Sequence, residues 1–260
     1  PNATFLAKWT QDLDADHSSC GRIKCFLRST SNPNIGWLIA EDAPYFAKPG
    51  KAKKSSNLTV GEAMIKGWEL AKSLEKEYGI HHFLVDSPFQ LEFSSKSQRR
   101  QMRRNFFKHP NAERRFPLNR IMVQKVKTAS LRSALIQYGS TELRGGGPIV
   151  SKTDHFVKDL LANHSDSFNR TRFVNNAKNG KEIALKILKE YYGYSCDFQV
   201  ILDEYGRIYH LDFDRAFTMD TRQTGYRRYV DRSFSKILTR FRRDMDHAIR
   251  YVGNYSDMKR

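Results

Sequence analysis

Apolar residues recur along the chain with two periods, and the switches between them outline most of its elements. Arg22-Ile-Lys-Cys-Phe-Leu-Arg28 and Gly36-Trp-Leu-Ile-Ala40 are rich in β-branched and aromatic residues and predict a pair of strands around the turn residues Ser31-Asn-Pro-Asn-Ile-Gly36. The polar, basic stretch 48–57 predicts a loop. Thr59 with Glu62 three residues on forms a capping-box signature, after which Met64, Ile65, Trp68, Leu74 and Tyr78 recur at helical spacing until Gly79. Two short strands follow, His82 to Asp86 and Phe89 to Phe93, around Ser87-Pro88, and another at Ile121 to Val126. Ser151 to Leu161 and Asn179 to Tyr192 predict helices, the second with Asn179 as its cap, Glu182 three residues later and Gly193 as its stop. The last helix is long and amphipathic, with Val230, Phe234, Ile237, Leu238, Phe241, Met245, Ile249 and Val252 on one stripe and basic residues over much of the rest.

These elements predict an α+β protein, strand-rich in its first half and helix-rich in its second. The expected organisation is an N-terminal strand-rich lobe with one helix over 1–95, a basic linker or helix over 96–119, and a C-terminal lobe over 120–260 carrying a hairpin and the long helix. With 260 residues and 39% hydrophobic content the chain can fill one full-sized core, or two lobes sharing one, which excludes disorder for the whole. No apolar stretch approaches the thickness of a bilayer, so no membrane span is expected. The chain opens on Pro1, and an N-terminal segment is expected to have been removed or left out.

Charge changes the picture. Lys and Arg number 45 against 28 Asp and Glu, a formal +17, which attracts polyanions: nucleic acid, anionic lipid, sulfated glycan or nucleotide phosphate. The densest basic run is Lys96 to Arg115, where Arg99, Arg100, Arg103 and Arg104 lie at helical spacing ahead of Phe106 and Phe107. No zinc-finger spacing, RNA-recognition signature or helix-turn-helix pattern accompanies it, so nucleic acid is a possible but not a favoured partner. Asn-X-Ser/Thr triplets begin at Asn2, Asn57, Asn163, Asn169 and Asn254. Chance gives roughly two, so five lean toward the secretory pathway or the extracellular space. Cys20, Cys25 and Cys196 would permit one disulfide there, or three reduced thiols elsewhere.

One segment carries candidate chemistry: Tyr194 to Phe217, whose middle reads as a hairpin with Val200-Ile-Leu202 and Ile208-Tyr-His-Leu211 as strands and Asp203-Glu-Tyr-Gly206 as the turn. Asp212 and Asp214 leave the second strand two residues apart, on one face if the strand continues, and Asp197 and Gln199 enter the first. Carboxylates and an amide at adjacent strand ends suit Mg²⁺, or Mn²⁺, with positions left for a nucleotide's phosphates. An even-length turn sets Asp197 across from Asp212, whereas a slip of one residue leaves Gln199 nearer the metal.

This hairpin resembles the metal-binding hairpin of protein-kinase-like folds, and its Cys196-Asp197 start and Asp212-Phe-Asp-Arg-Ala-Phe217 ending are most similar to the divergent kinases of the secretory pathway. The resemblance implies a two-lobed kinase-like fold, bound Mg·ATP, Asp212 in place of the Asp of Asp-Phe-Gly, and Gln199 or Asp214 as a second metal contact. The catalytic Asp expected five residues before the Gln199 position would be residue 194, which is Tyr194, so Asp197 is the candidate base. Lys24 is the candidate phosphate-pairing lysine, on a strand ahead of the helix that carries Glu62 and Glu69, with Lys125 as its rival. A second resemblance is to ATP-grasp ligases, in which a helix runs directly into a hairpin ending in Glu-X-Asn, here Asp212-X-Asp214. Both resemblances imply ATP-dependent transfer, to an anionic protein or glycan acceptor in the kinase-like case. The reading from another class is a non-catalytic basic module that binds polyanions.

Overall fold

The computed structural model describes residues 13–20, 24–46, 54–93, 95–98, 100, 120–130, 132–139, 152–163, 168–217 and 224–255. They form a mixed α+β protein whose chain divides into two compact units, 1–68 with 83–128 and 69–82 with 129–260. The division differs from the three segments expected from sequence. Residues 120–127 hydrogen-bond into the first unit's sheet, and the second unit includes 69–82.

The first unit holds strands β1 (Leu13–Cys20), β2 (Lys24–Ser29), β3 (Ile35–Glu41), β4 (Pro44–Phe46), β5 (Lys54–Thr59), β7 (Phe89–Glu92) and β8 (Arg120–Lys127). Five make a sheet in the order β1-β2-β3-β8-β7, with every pairing antiparallel, and β4 and β5 make a separate two-stranded antiparallel sheet, so that 54–57, expected as loop, lie in a strand. Helix α1 (Val60–Tyr78) begins on the predicted capping box. The Thr59 N–H donates to Glu62 Oε2 at 2.7 Å and the Glu62 N–H donates to Thr59 Oγ1 at 3.1 Å, so two orphan donors of the first turn are satisfied reciprocally. Asp42 reinforces the same end by accepting from the Gly61 N–H at 2.9 Å. Val60, Ala63 and Met64 then bury against Ala40 and Met122 of the sheet.

In the second unit, strands β6 (His81–His82), β9 (Ser133–Gly139), β10 (Asp197–Asp203) and β11 (Ile208–His210) form a sheet in the order β6-β11-β10-β9. Helices α2 (Lys152–Asn163), α3 (Arg170–Glu190) and α4 (Thr224–Gly253) complete it. Alternation along the strands buries one face: Ile136, Tyr138, Phe198, Val200, Leu202, Ile208 and His210. The helices bury Leu160 and Leu161 from α2, Phe173, Ala184 and Leu188 from α3, and Ile237, Phe241 and Met245 from α4. The amphipathic stripe of α4 is as predicted over its described side chains.

Helix α3 corrects the sequence reading. It starts at Arg170, well before Asn179, with Asn169 as the cap whose Oδ1 accepts from the Arg172 N–H at 2.9 Å. Both asparagines sit ahead of helix-forming residues, and the buried positions Phe173 and Ala177 decide for the earlier one. Of the basic run Lys96 to Arg115, residues 96–98 and 100 are described, and Arg99, Arg103, Arg104, Phe106 and Phe107 lie outside the described residues. Among the described residues no helix is long and apolar enough to cross a membrane.

The hairpin turn depends on Gly206, at φ 77°, where an added Cβ would overlap the backbone carbonyl of Phe173 in α3. Gly206→Ala is therefore expected to lower unfolding stability by about 2 kcal/mol or more, read from urea denaturation; a change near zero would contradict this packing.

Candidate functional site

The hairpin that carries the candidate chemistry is built from α3 outward. At its C-terminal end the Tyr191 N–H donates to the Ile187 carbonyl at 2.8 Å, and the chain passes through a 3-10 turn, Tyr192–Cys196, directly into β10. β10 is the sheet's second interior strand, paired over its full length with β9, which the sequence reading missed, and with β11 through Val200 and His210, Ile201 and Tyr209, and Leu202 and Ile208. This register settles the alternatives left open by sequence. Carried two residues past Val200 and His210, the pairing sets Asp212 against Phe198 rather than Asp197. Gln199 lies across from Leu211, whose N–H donates to the Gln199 carbonyl at 3.1 Å.

The strand does not continue to bring Asp212 and Asp214 onto one face. β11 ends at His210, Asp212 adopts left-handed φ 52° and ψ 43°, and the chain closes into a second 3-10 turn, Phe213–Ala216. Among the described residues Asp212 is the one non-glycine with positive φ. Two backbone bonds close the turn, Arg215 N–H to the Asp212 carbonyl at 3.0 Å and Phe217 N–H to the Asp214 carbonyl at 3.1 Å. Asp212 is half-buried, whereas Asp214 is only 3% exposed, so Asp212 is the more open of the two to a ligand.

Rings beneath the turn hold this geometry. Tyr194, where the kinase resemblance places an acid, is 1% exposed and donates its hydroxyl to the Leu211 carbonyl at 2.7 Å. Leu211 is thus tethered through both of its backbone groups immediately before the left-handed residue. Phe213 stacks on Tyr194 with centroids 5.6 Å apart and planes 9° apart, Phe198 meets Tyr194 edge-on at 5.5 Å, and His210 stacks on Phe213 at 6.0 Å. Gly193 lets the two 3-10 turns touch, since a Cβ there would stand 3.1 Å from the Ala216 carbonyl oxygen.

Burial, aided by the charges of His82 and His81, pushes the His210 imidazole from 6.5 down to about 3, so the ring stays neutral under the acidic turn. The opposite face of the sheet is more open. Gln199, Ile201 and Tyr209 are half-buried there, and Leu135, paired with Ile201, is 42% exposed.

The remaining candidates lie elsewhere. Asp197 begins β10, and its side chain is outside the described ones. Lys24 begins β2, and Lys125 lies on β8. Register places Lys24, Ala40 and Met122 in one row and Trp37 and Lys125 in a row of the opposite parity, so the two lysines belong to opposite faces of the sheet. They are alternatives and cannot act as a pair. The third strand of that sheet, Ile35–Glu41, where kinases carry the phosphate lysine, contains none. Glu69 is exposed on α1.

Among the described residues no group of three or more His, Cys, Asp or Glu side chains gathers as a metal cluster. The donor types at the turn nevertheless fit Mg²⁺, which takes one or two carboxylates and completes its shell with water and substrate phosphates. The chain matches no protein-family model and no curated protein.

The buried imidazole has a measurable consequence. Its folded value lies below its unfolded one, so its contribution to stability is complete above about pH 6.5 and is lost as pH falls toward 3. Between pH 7 and pH 5 His210 is expected to remove about 2 kcal/mol of unfolding free energy, and His210→Phe to flatten that slope. Denaturation at the two pH values checks this; an equal slope in the variant would contradict it.

Proposed function

We propose that the protein is a kinase-like, Mg²⁺-dependent ATP phosphotransferase of the secretory pathway, with its metal and nucleotide phosphates held at the Asp212 turn. The observation that carries this reading is the left-handed backbone of Asp212 at a strand exit. A non-glycine residue in that region costs free energy, persists only where its surroundings over-determine it, and is concentrated at ligand sites. Here the over-determination consists of the two tethers on Leu211 and the stacked rings below.

Asp212 is the main metal ligand in this reading, with Gln199 or Asp214 as second contact. Bound there, Mg²⁺ would neutralise phosphate oxygens and orient the nucleotide. Ile201 and exposed Leu135 offer an apolar surface for a flat base on the face of the sheet that Gln199 shares. Tyr194 acts as a brace rather than a base, because its hydroxyl is committed to a backbone carbonyl. Asp197 remains the candidate base. Phosphoryl transfer relies mainly on positioning and charge neutralisation, so the replaced acid weakens the machinery without removing nucleotide binding.

A strand-rich unit and a helix-rich unit support a two-lobed kinase-like fold. The end of β11 at His210 favours that reading over an ATP-grasp ligase, whose paired ligands would share the face of one continuing strand. Cys25 is disulfide-bonded and its cross-strand neighbour is Cys20, which supports an oxidising compartment. The basic excess favours an anionic protein or glycan acceptor.

Asp212→Asn tests the assignment, since asparagine tolerates the left-handed region and keeps the fold. A Mg²⁺-bound non-hydrolysable ATP analogue at about 100 times its Kd stabilises the wild type by about 2.7 kcal/mol. The variant is expected to melt normally alone and to lose that gain. An undiminished gain in the variant, or none in the wild type, would contradict the proposal.

A further inference from the structure

Three of the chain's Asn-X-Ser/Thr triplets are Asn163-His-Ser165, Asn169-Arg-Thr171 and Asn254-Tyr-Ser256, and their asparagines, the third remote in sequence from the first two, come together in the second unit. Their placement follows from the helix pairings. The Asp154 carboxylate meets His247 Nδ1 at 2.6 Å, and one turn further along both helices Lys158 lies over the Tyr251 ring at 5.8 Å. Each step advances four residues on both chains, so α2 and α4 run parallel, and the next step brings residue 162 level with Tyr255. The end of α2 at Asn163 therefore lies beside the end of α4 at Asn254.

Helix α3 runs the other way. Lys181 Nζ donates to Asp246 Oδ1 at 2.7 Å, and eleven residues back Arg170 lies over the Tyr255 ring at 5.5 Å. The start of α3 at Asn169 thus meets the same end of α4. All three asparagines are exposed. Asn169 uses Oδ1 for its cap, so the hydrogen bond that starts α3 does not occupy the amide nitrogen, whereas Asn163 Nδ2 donates to Asp159 Oδ1 at 2.7 Å in an exposed bond that transfer would displace. The candidate metal turn is at the other end. Tyr192, which leads into it, packs on Phe234 at 4.6 Å, twenty residues or about 30 Å along α4 from Asn254.

We infer that this end of the second unit is a glycan-bearing pole, with N-linked oligosaccharides on Asn163, Asn169 and Asn254 and none obstructing the Asp212 turn. In each transfer the Asn Nδ2 loses a hydrogen and bonds the anomeric carbon of an oligosaccharide donated by a polyprenyl diphosphate, which leaves with the bonding pair while the proton passes to solvent. Bulky, hydrated groups there are compatible with folding because each acceptor is at a helix terminus and outside the core. The inference rests on the compartment part of the proposed function and not on its chemistry.

The test is to direct the full chain into the endoplasmic reticulum of a cultured animal cell, recover it folded, release N-glycans enzymatically in ¹⁸O water and map the labelled peptides. Label is expected at positions 163, 169 and 254. Thr171→Ala should erase the label at 169 alone and leave the melting temperature unchanged, because it spares the cap, whereas Asn169→Ala should lower both. Folded chain unlabelled at these three positions would overturn the inference. Glycan release is expected to leave the Mg·ATP-analogue response intact, and failure of that response in the wild type would sink the phosphotransferase reading while the labelling stood, so the two are separable.

Discussion

Asp212 turns the chain against its own steric preference, and the second unit is arranged to hold it there. The left-handed region brings Cβ close to the following carbonyl, at a cost of about 1–2 kcal/mol for most residues and less for aspartate. One hydrogen bond would scarcely outweigh that cost. The structure applies several: Leu211 is fixed by the Gln199 carbonyl on one side and the Tyr194 hydroxyl on the other, and the Asp212 carbonyl accepts from Arg215. Below them Tyr194, Phe198, Phe213 and His210 form a ring cluster that extends to Phe241 of α4 through an edge-on contact at 5.1 Å. The backbone at Asp212 is thereby held by the core of the whole unit.

Electrostatics follow the same geometry. A chain with a formal +17 places an acidic turn over a buried imidazole that burial keeps uncharged. A protonated His210 would set a positive charge beside Leu211 and offset the local negative field. Because it stays neutral, it sets no positive charge beneath the two aspartates of the turn, which suits the cation proposed to bind there. The net charge of the chain and the charge of its candidate site therefore have opposite signs.

Much of this could be read from sequence where the determinant is local. The Thr59 and Glu62 capping box, the Gly206 turn and the stripe of α4 depend on residues within a few positions of one another, and each is present. What could not be read depends on distant partners. Register follows from the residues 203–207 that separate paired Leu202 and Ile208, one more than the turn Asp203 to Gly206 expected from sequence, with Gly206 among them packed against Phe173. β9 has only Ile136 and Tyr138 buried, too weak an alternation to stand out. The start of α3 was chosen by burial of Phe173 and Ala177 rather than by cap chemistry. In the sequence Tyr194 stands out only as the replacement of an acid, because nothing local indicates that its hydroxyl reaches Leu211.

The central claim is that the turn at Asp212 receives a metal-bound nucleotide. The most direct measurement is paramagnetic broadening in the uniformly ¹⁵N-labelled chain, with Mn²⁺ added together with a non-hydrolysable ATP analogue. The account predicts selective loss of the amide signals of Gln199 and of Leu211 to Arg215, with the signals of α4 near Asn254 unaffected. Unchanged signals at the turn, or broadening confined to other parts of the chain, would contradict it.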